Sequence, residues 1–209
     1  MKNLDPNLVG LFSPTAKPLP FKAGKNIRRK VVTDLKDLSE GLRKSKAPII
    51  IIDDFDYFIS LKQLQMAKMN LKGDALFSYL RTLAYEAWCV IDTAVNQLDP
   101  LRRVYILAHA DEENGRIKMK STGKMFDNML APEGLCSPVL QTKVDDSGYS
   151  FMTQNNGHNP VKSPEGMFDK FLIPNDLNLV DDAICAYYGI PKNAIAVEAI
   201  KDVQKENVF

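Results

Sequence analysis

The stretch that decides the fold is Pro48–Phe58, PIIIIDDFDYF. Ile49–Ile52 are consecutive β-branched residues with no polar alternation, the pattern of a strand covered on both faces. Such a strand belongs in the middle of a largely parallel sheet. It runs directly into Asp53 and Asp54, so both carboxylates fall at the strand's carboxyl end. Ligands of open α/β sheets bind outside that end. The plain alternative is that Asp53 caps the following helix and Asp54 is solvated.

Working outward, Leu8–Phe12 (LVGLF) and Val104–Ala108 (VYILA) read as further buried strands. The run KPLPFKAGKNIRRK at 17–30 holds six basic residues and no acid, and predicts an exposed loop or edge hairpin leading into a short strand around 30–33. Asp34 is placed to cap a helix through Lys44. Residues 59–72 are polar and helix-compatible. Ala75–Leu98 carries Leu76, Leu80, Leu83, Ala87, Ile91, Ala94 and Leu98 at helical spacing, and Asp99-Pro100 ends it. Val139–Val144 and Tyr149–Gln154 flank DDSG and predict a β-hairpin near one edge of the sheet. Residues 155–166 form a turn-rich loop. Leu177–Tyr188 predicts a last amphipathic helix, stopped by Gly189 and Pro191. Strands alternating with helices give an α/β fold, read as one domain over residues 1–190 with a weakly patterned tail at 191–209.

The chain has 209 residues, 45% hydrophobic and 25% charged, with a net charge of +1. That is enough for one α/β core. A near-neutral chain does not coat nucleic acid, so any such contact comes from local patches. Cys89, Cys136 and Cys185 match no metal-ligand spacing and read as reduced thiols. The beginning, MKNLDPNLVG, has an acid and a proline where a secretory signal needs an apolar run. No apolar stretch reaches the ~20 residues of a membrane span. These features predict a cytoplasmic protein.

An aspartate after a buried apolar strand is the Walker B form, in which the carboxylate holds Mg²⁺ beside a nucleotide's phosphates. Its partner would be a phosphate loop, G-x-x-x-x-G-K-[ST], whose amides, lysine and hydroxyl complete the site. The Gly24-Lys25 and Gly123-Lys124 pairs are followed by Asn26 and Met125, and Leu19 and Lys118 stand where the first glycine belongs. Neither pair is a phosphate loop.

Several segments in order carry a more specific signal: NLDP, KPLPFK, IIIIDDFDYF, ILAHADEENGRIKMKSTGKMFDN, TQNNGHNPVKSPEGMFD and IPNDLNLVDDAI. Together they resemble a family of phage-encoded RecA-like, AAA-type P-loop ATPases associated with DNA recombination and single-strand annealing. The resemblance runs from about Asn3 to about Tyr188. It implies a three-layer α/β sandwich with a mostly parallel sheet and an antiparallel hairpin, lacking the family's first strand and phosphate loop. Truncation, an alternative start or natural loss would each give such a sequence.

By position, the resemblance implies that Asp53 is the Mg²⁺ ligand and Asp54 a neighbouring acid that polarises water. It makes His109, just after VYILA, a sensor of the γ-phosphate. Without the resemblance, His109 reads as a strand-end histidine satisfied by backbone. Lys162 is a candidate finger acting on a neighbouring subunit's phosphates, or else a surface lysine beside a turn. Arg116, Lys118, Lys120 and Lys124 form a basic segment suited to DNA phosphates or to a solvated edge, and the 17–30 cluster is another positive patch. Phe12, Phe21 and Tyr149 could stack on bases, although aromatics at strand positions are more often core. The implied cofactors are ATP and Mg²⁺, with none bound by this chain as the alternative. The implied partners are single-stranded DNA and either further copies or P-loop-containing subunits. The expected function is a phage recombination ATPase with impaired catalysis, acting in the cytoplasm of a bacterial host. The alternative is a non-catalytic DNA-binding or subunit-regulating module of the same fold.

Overall fold

A computed structural model describes residues 1–121, 123–146 and 148–192. The tail expected at 191–209 lies almost wholly outside the described residues. The central sheet has four strands: β1 (Val9–Ser13), β2 (Arg28–Val31), β3 (Ile49–Ile52) and β4 (Arg103–Ile106). Their order is β2-β1-β3-β4 and every pairing is parallel. The isoleucine run is thus a central strand, and each of its residues is at most 1% exposed. Burying such side chains on both faces is worth roughly 1.5–3 kcal/mol apiece.

The chain crosses between parallel strands on both sides of this sheet. One face is covered by α1 (Leu35–Lys44), α2 (Phe55–Ala67) and α3 (Gly73–Asp92). Leu35, Leu38 and Leu42 of α1, Phe58 of α2 and Leu83, Ala87 and Ile91 of α3 pack there with Phe12, Ile50 and Ile52. Asp34 caps α1 as its position predicted, accepting from the Lys36 amide at 2.8 Å. It also pairs with Lys62 of α2, whose ammonium lies 3.6 Å from Glu86 of α3, so one lysine ties three helices together. The opposite face holds α6 (Leu177–Tyr188), where Leu177, Val180 and Ile184 meet Val9, Leu11, Ile49 and Ile51. Gly189, at φ 66°, ends α6 in the left-handed conformation that favours glycine.

Two expectations need correction. The antiparallel strands do not extend the parallel sheet. They form a separate ribbon of β5 (Ala110–Glu113) with β6 (Arg116–Met119), and a separate three-stranded sheet of β7 (Gln141–Asp145), β8 (Gly148–Met152) and β9 (Leu172–Pro174). Of the two readings of the 17–30 run, the exposed loop holds and the edge hairpin does not: a short 3₁₀ turn at Lys22–Asn26 leads into β2, which lies parallel to β1 at the sheet's edge. Two short helices, α4 (Lys124–Asp127) and α5 (Pro132–Leu135), follow the ribbon. No helix of the described residues is long and apolar enough to cross a membrane.

Candidate functional site at the carboxyl end of the sheet

Strand order places one crevice where the topology changes direction. From β1 the chain moves outward to β2, whereas from β3 it moves the other way to β4. The connections leaving the carboxyl ends of β1 and β3 therefore run in opposite directions, and such a switch point is where open α/β sheets make room for ligands. A small cavity of about 60 Å³ lies there, lined by Ser13 at the end of β1, Thr15 and Lys17 after it, Arg29 of β2, and Asp53 and Asp54 after β3.

Asp53 continues the ladder, its amide donating to Phe12 O at 2.9 Å. Its carboxyl group is partly desolvated. Burial pushes its pKa above the ordinary value and the adjacent Asp54 adds to the rise, while Lys17, His109 and Arg29 pull the other way. Asp54 adopts φ 61° and ψ 57°, a left-handed conformation uncommon outside glycine. It occupies the cap position of α2 but makes no side-chain capping bond, so the alternative reading, in which Asp53 caps that helix, does not hold. The Phe55 amide instead donates to Leu107 O at 2.8 Å, and the Leu107 amide donates to Ile52 O at 2.8 Å. That stitch bends the turn across the end of β4.

The bend brings His109 to the acids. Asp56, whose side chain is 3% exposed, accepts from the His109 amide at 3.0 Å and lies 3.2 Å from Nδ1 through each carboxylate oxygen. A carboxylate only accepts, so Nδ1 carries a proton, and in the neutral ring Nε2 is left as an acceptor. The ring is half exposed, with Asp54 at 3.9 Å and the Tyr57 ring edge-on at 5.6 Å. Asp56 escaped the sequence reading because an acid in the first turn of a helix ordinarily serves the helix dipole. Its spacing from Asp53 gave no sign of a histidine beyond the next strand. Ser13, Thr15, Lys17 and Arg29 escaped for a similar reason, since they converge only through strand order.

The other predicted residues are held elsewhere, except that Lys120 meets His109 through its backbone. Lys162 is bridged to Val139 and directs Nζ to Gly134 O at 3.3 Å, beside α5. Lys118 sits between Glu113 at 2.6 Å and Asp127 at 2.5 Å, which raises its pKa and engages its charge. Lys124 lies 3.7 Å from Glu113. Arg116 stands opposite Glu113 in the ribbon, and the Lys120 amide donates to His109 O at 2.8 Å. Phe12 is 5% exposed and belongs to the core, so it is not a stacking surface for bases; Phe21 is half-buried, and Tyr149 is exposed.

The donor set bears on the implied Mg²⁺. Asp53 and Asp54 supply hard oxygen ligands beside the Ser13 and Thr15 hydroxyls, which suits a cation held by one or two carboxylates plus phosphate. No group of three metal-binding side chains occurs among the described residues, so a purely protein-made cage is not formed. The cavity, about 60 Å³, is far smaller than a whole-nucleotide pocket, which spans about 300 Å³ or more.

Fold and site define an α/β protein with a parallel sheet and an acid–histidine cluster at its carboxyl end. No family model matches the chain, and neither a curated protein nor a solved structure matches it.

Proposed function

We propose that this chain is a RecA-like recombination ATPase module of phage type, which binds Mg²⁺ with the phosphates of ATP at the β1/β3 crevice and also binds single-stranded DNA. The observation that carries the reading is the convergence of Asp53, Asp54 and His109 at the carboxyl ends of adjacent parallel strands. Mg²⁺, when bound, would neutralise phosphate charge. Asp53 would hold the cation; burial and the adjacent Asp54 push its pKa up, and a bound cation would relieve both. Asp54, kept in the left-handed region, would turn toward an attacking water. His109, with Nδ1 held by Asp56, would meet the terminal phosphate through Nε2 in its imidazolium form, in which both ring nitrogens donate. Lys17 and Arg29 are the cations nearest Asp53 and would face phosphate oxygens. β4 ends the sheet, pairing only with β3 among the described residues, and a free strand edge suits joining to another copy or to P-loop-containing subunits.

The 209 residues contain no Walker A motif. Without its amides, lysine and hydroxyl, the chain is expected to bind Mg·ATP weakly and to hydrolyse it little or not at all. The small cavity favours a second reading on the same fold, a non-catalytic module that binds DNA or regulates full-length subunits. Phosphate release with ATP and single-stranded DNA tests the first. The expected result is background turnover, with weak Mg-dependent nucleotide binding that Asp53→Ala abolishes. Turnover above background that Asp53→Ala removes would overturn the impaired state. Absence of any Mg-dependent nucleotide binding would leave the non-catalytic module.

A further inference from the structure

We infer that single-stranded nucleic acid docks along the β2 edge and the loop before it, not on the β5–β6 ribbon; this rests on the DNA-binding reading above. Residues 6–33 contain six cations, Lys17, Lys22, Lys25, Arg28, Arg29 and Lys30, and no acid, in a chain whose net charge is only +1. All six are exposed. None lies within ion-pair distance of a carboxylate among the described residues. The ribbon mixes both signs, and of its cations only Arg116 and Lys120 are without an ion pair among the described residues. Its strand Ala110–Glu113 sets Asp111, Glu112 and Glu113 against Arg116–Met119, and Lys118 and Lys124 are already paired with carboxylates. A polyanion gains from releasing its counterions to unpaired cations, not from displacing existing salt bridges.

The shape of the edge fits the same partner. β2 is extended, so Arg28 and Lys30 share a face about 7 Å apart. The Val32 amide donates to Ser13 O, so by alternation the amides of Arg29 and Val31 point away from the sheet and add donors to the cationic edge. Arg29 also donates to Ala16 O at 3.0 Å and to Lys17 O at 2.5 Å, so its guanidinium holds the loop while its charge stays unneutralised. That loop lines the Asp53 cavity, which places the DNA track beside the metal site. Protection of a free edge against strand pairing explains charges on β2 itself. It does not explain Lys17, Lys22 and Lys25, which lie on the loop and the 3₁₀ turn.

The test is fluorescence anisotropy of a labelled oligothymidylate of about 30 nucleotides, titrated at several salt concentrations. The variant Lys22→Ala/Lys25→Ala/Lys30→Ala removes ammonium groups that make no hydrogen bond or ion pair among the described residues, and circular dichroism checks that it folds. Loss of about three phosphate contacts should lower the slope of log K against log salt by about 2 and weaken binding by roughly 10- to 100-fold near 0.1 M salt. The control Lys120→Ala/Lys124→Ala on the ribbon should change affinity less than about 3-fold. Wild-type affinity in the triple variant, or a larger loss in the ribbon control, would overturn the assignment while leaving DNA binding intact. Salt-insensitive or absent binding by the wild type would overturn the DNA-binding reading itself, and this inference with it. Binding to anionic lipid vesicles without binding to the oligonucleotide would also overturn both.

Discussion

The buried carboxylate of Asp56 holds His109 at two points, accepting from its amide at 3.0 Å and facing its Nδ1 at 3.2 Å. Backbone and ring are therefore fixed together, and the half-exposed ring presents Nε2 outward. Asp56→Asn keeps an oxygen for the amide but loses the obligate acceptor at Nδ1. Nitrogen-15 NMR of the ring should report a single Nδ1–H tautomer for the neutral wild type and a mixture in Asp56→Asn, with the melting temperature little changed. Asp56→Ala should cost about 1–3 kcal/mol, because the His109 amide is left without its partner. A single unchanged tautomer in Asp56→Asn would show that Asp56 does not orient the ring.

Asp53 gives a pH-dependent prediction. Burial, with Asp54 adding to it, raises its pKa above the ordinary 3.8, so the folded state holds the proton more tightly than the unfolded chain. The ionised form is the destabilising one. The penalty is absent below the ordinary value and grows as pH rises through the raised folded value. Asp53→Asn should therefore melt higher than wild type at about pH 7 and equal to it at about pH 3. An Asn variant less stable than wild type at neutral pH would contradict this.

Gly41 lies in α1 where that helix crosses β1. A Cβ added there would meet Phe12 Cε1 at 2.6 Å. Helix propensity alone favours Gly41→Ala by up to about 1 kcal/mol. Overpacking a filled core costs about 1–3 kcal/mol, so the clash should win and chemical denaturation should show a net loss of stability. A stabilised variant would mean that the helix–sheet contact is looser than described.

Arg103 and Asp181 form a buried bidentate pair at 2.9 and 3.1 Å, with the Tyr105 hydroxyl donating to Asp181 at 2.6 Å. The pair fastens β4 to α6. Asp181→Ala strands a buried guanidinium and should cost about 3–5 kcal/mol in urea unfolding. A loss below about 1 kcal/mol would place the pair among surface ion pairs.

Much of this fold is legible in the sequence. Ile49–Ile52 has the β-branched, unbroken apolar pattern of a central strand, Asp34 marks the start of α1, and Leu177–Tyr188 shows its apolar face and its glycine stop. The antiparallel strands are legible as strands but not as separate sheets, because local alternation does not say which edge a hairpin joins. Asp53, Asp54 and His109 are legible as strand-end residues. Asp56 and Arg29 are not, because the turn after β3 and the strand order β2-β1-β3 decide what they face. The basic ribbon looks free in sequence because Lys118 meets Asp127 only after β6 turns into α4.

The central claim is that Asp53 anchors a divalent cation together with phosphate at the β1/β3 crevice. Mn²⁺ in place of Mg²⁺, added with and without a triphosphate nucleotide, would report this by paramagnetic broadening of amide signals. The account predicts broadening centred on Ser13, Asp53, Asp54 and His109 that strengthens with the nucleotide and disappears in Asp53→Asn. Broadening confined to other surface carboxylates, or unchanged in Asp53→Asn, would contradict it.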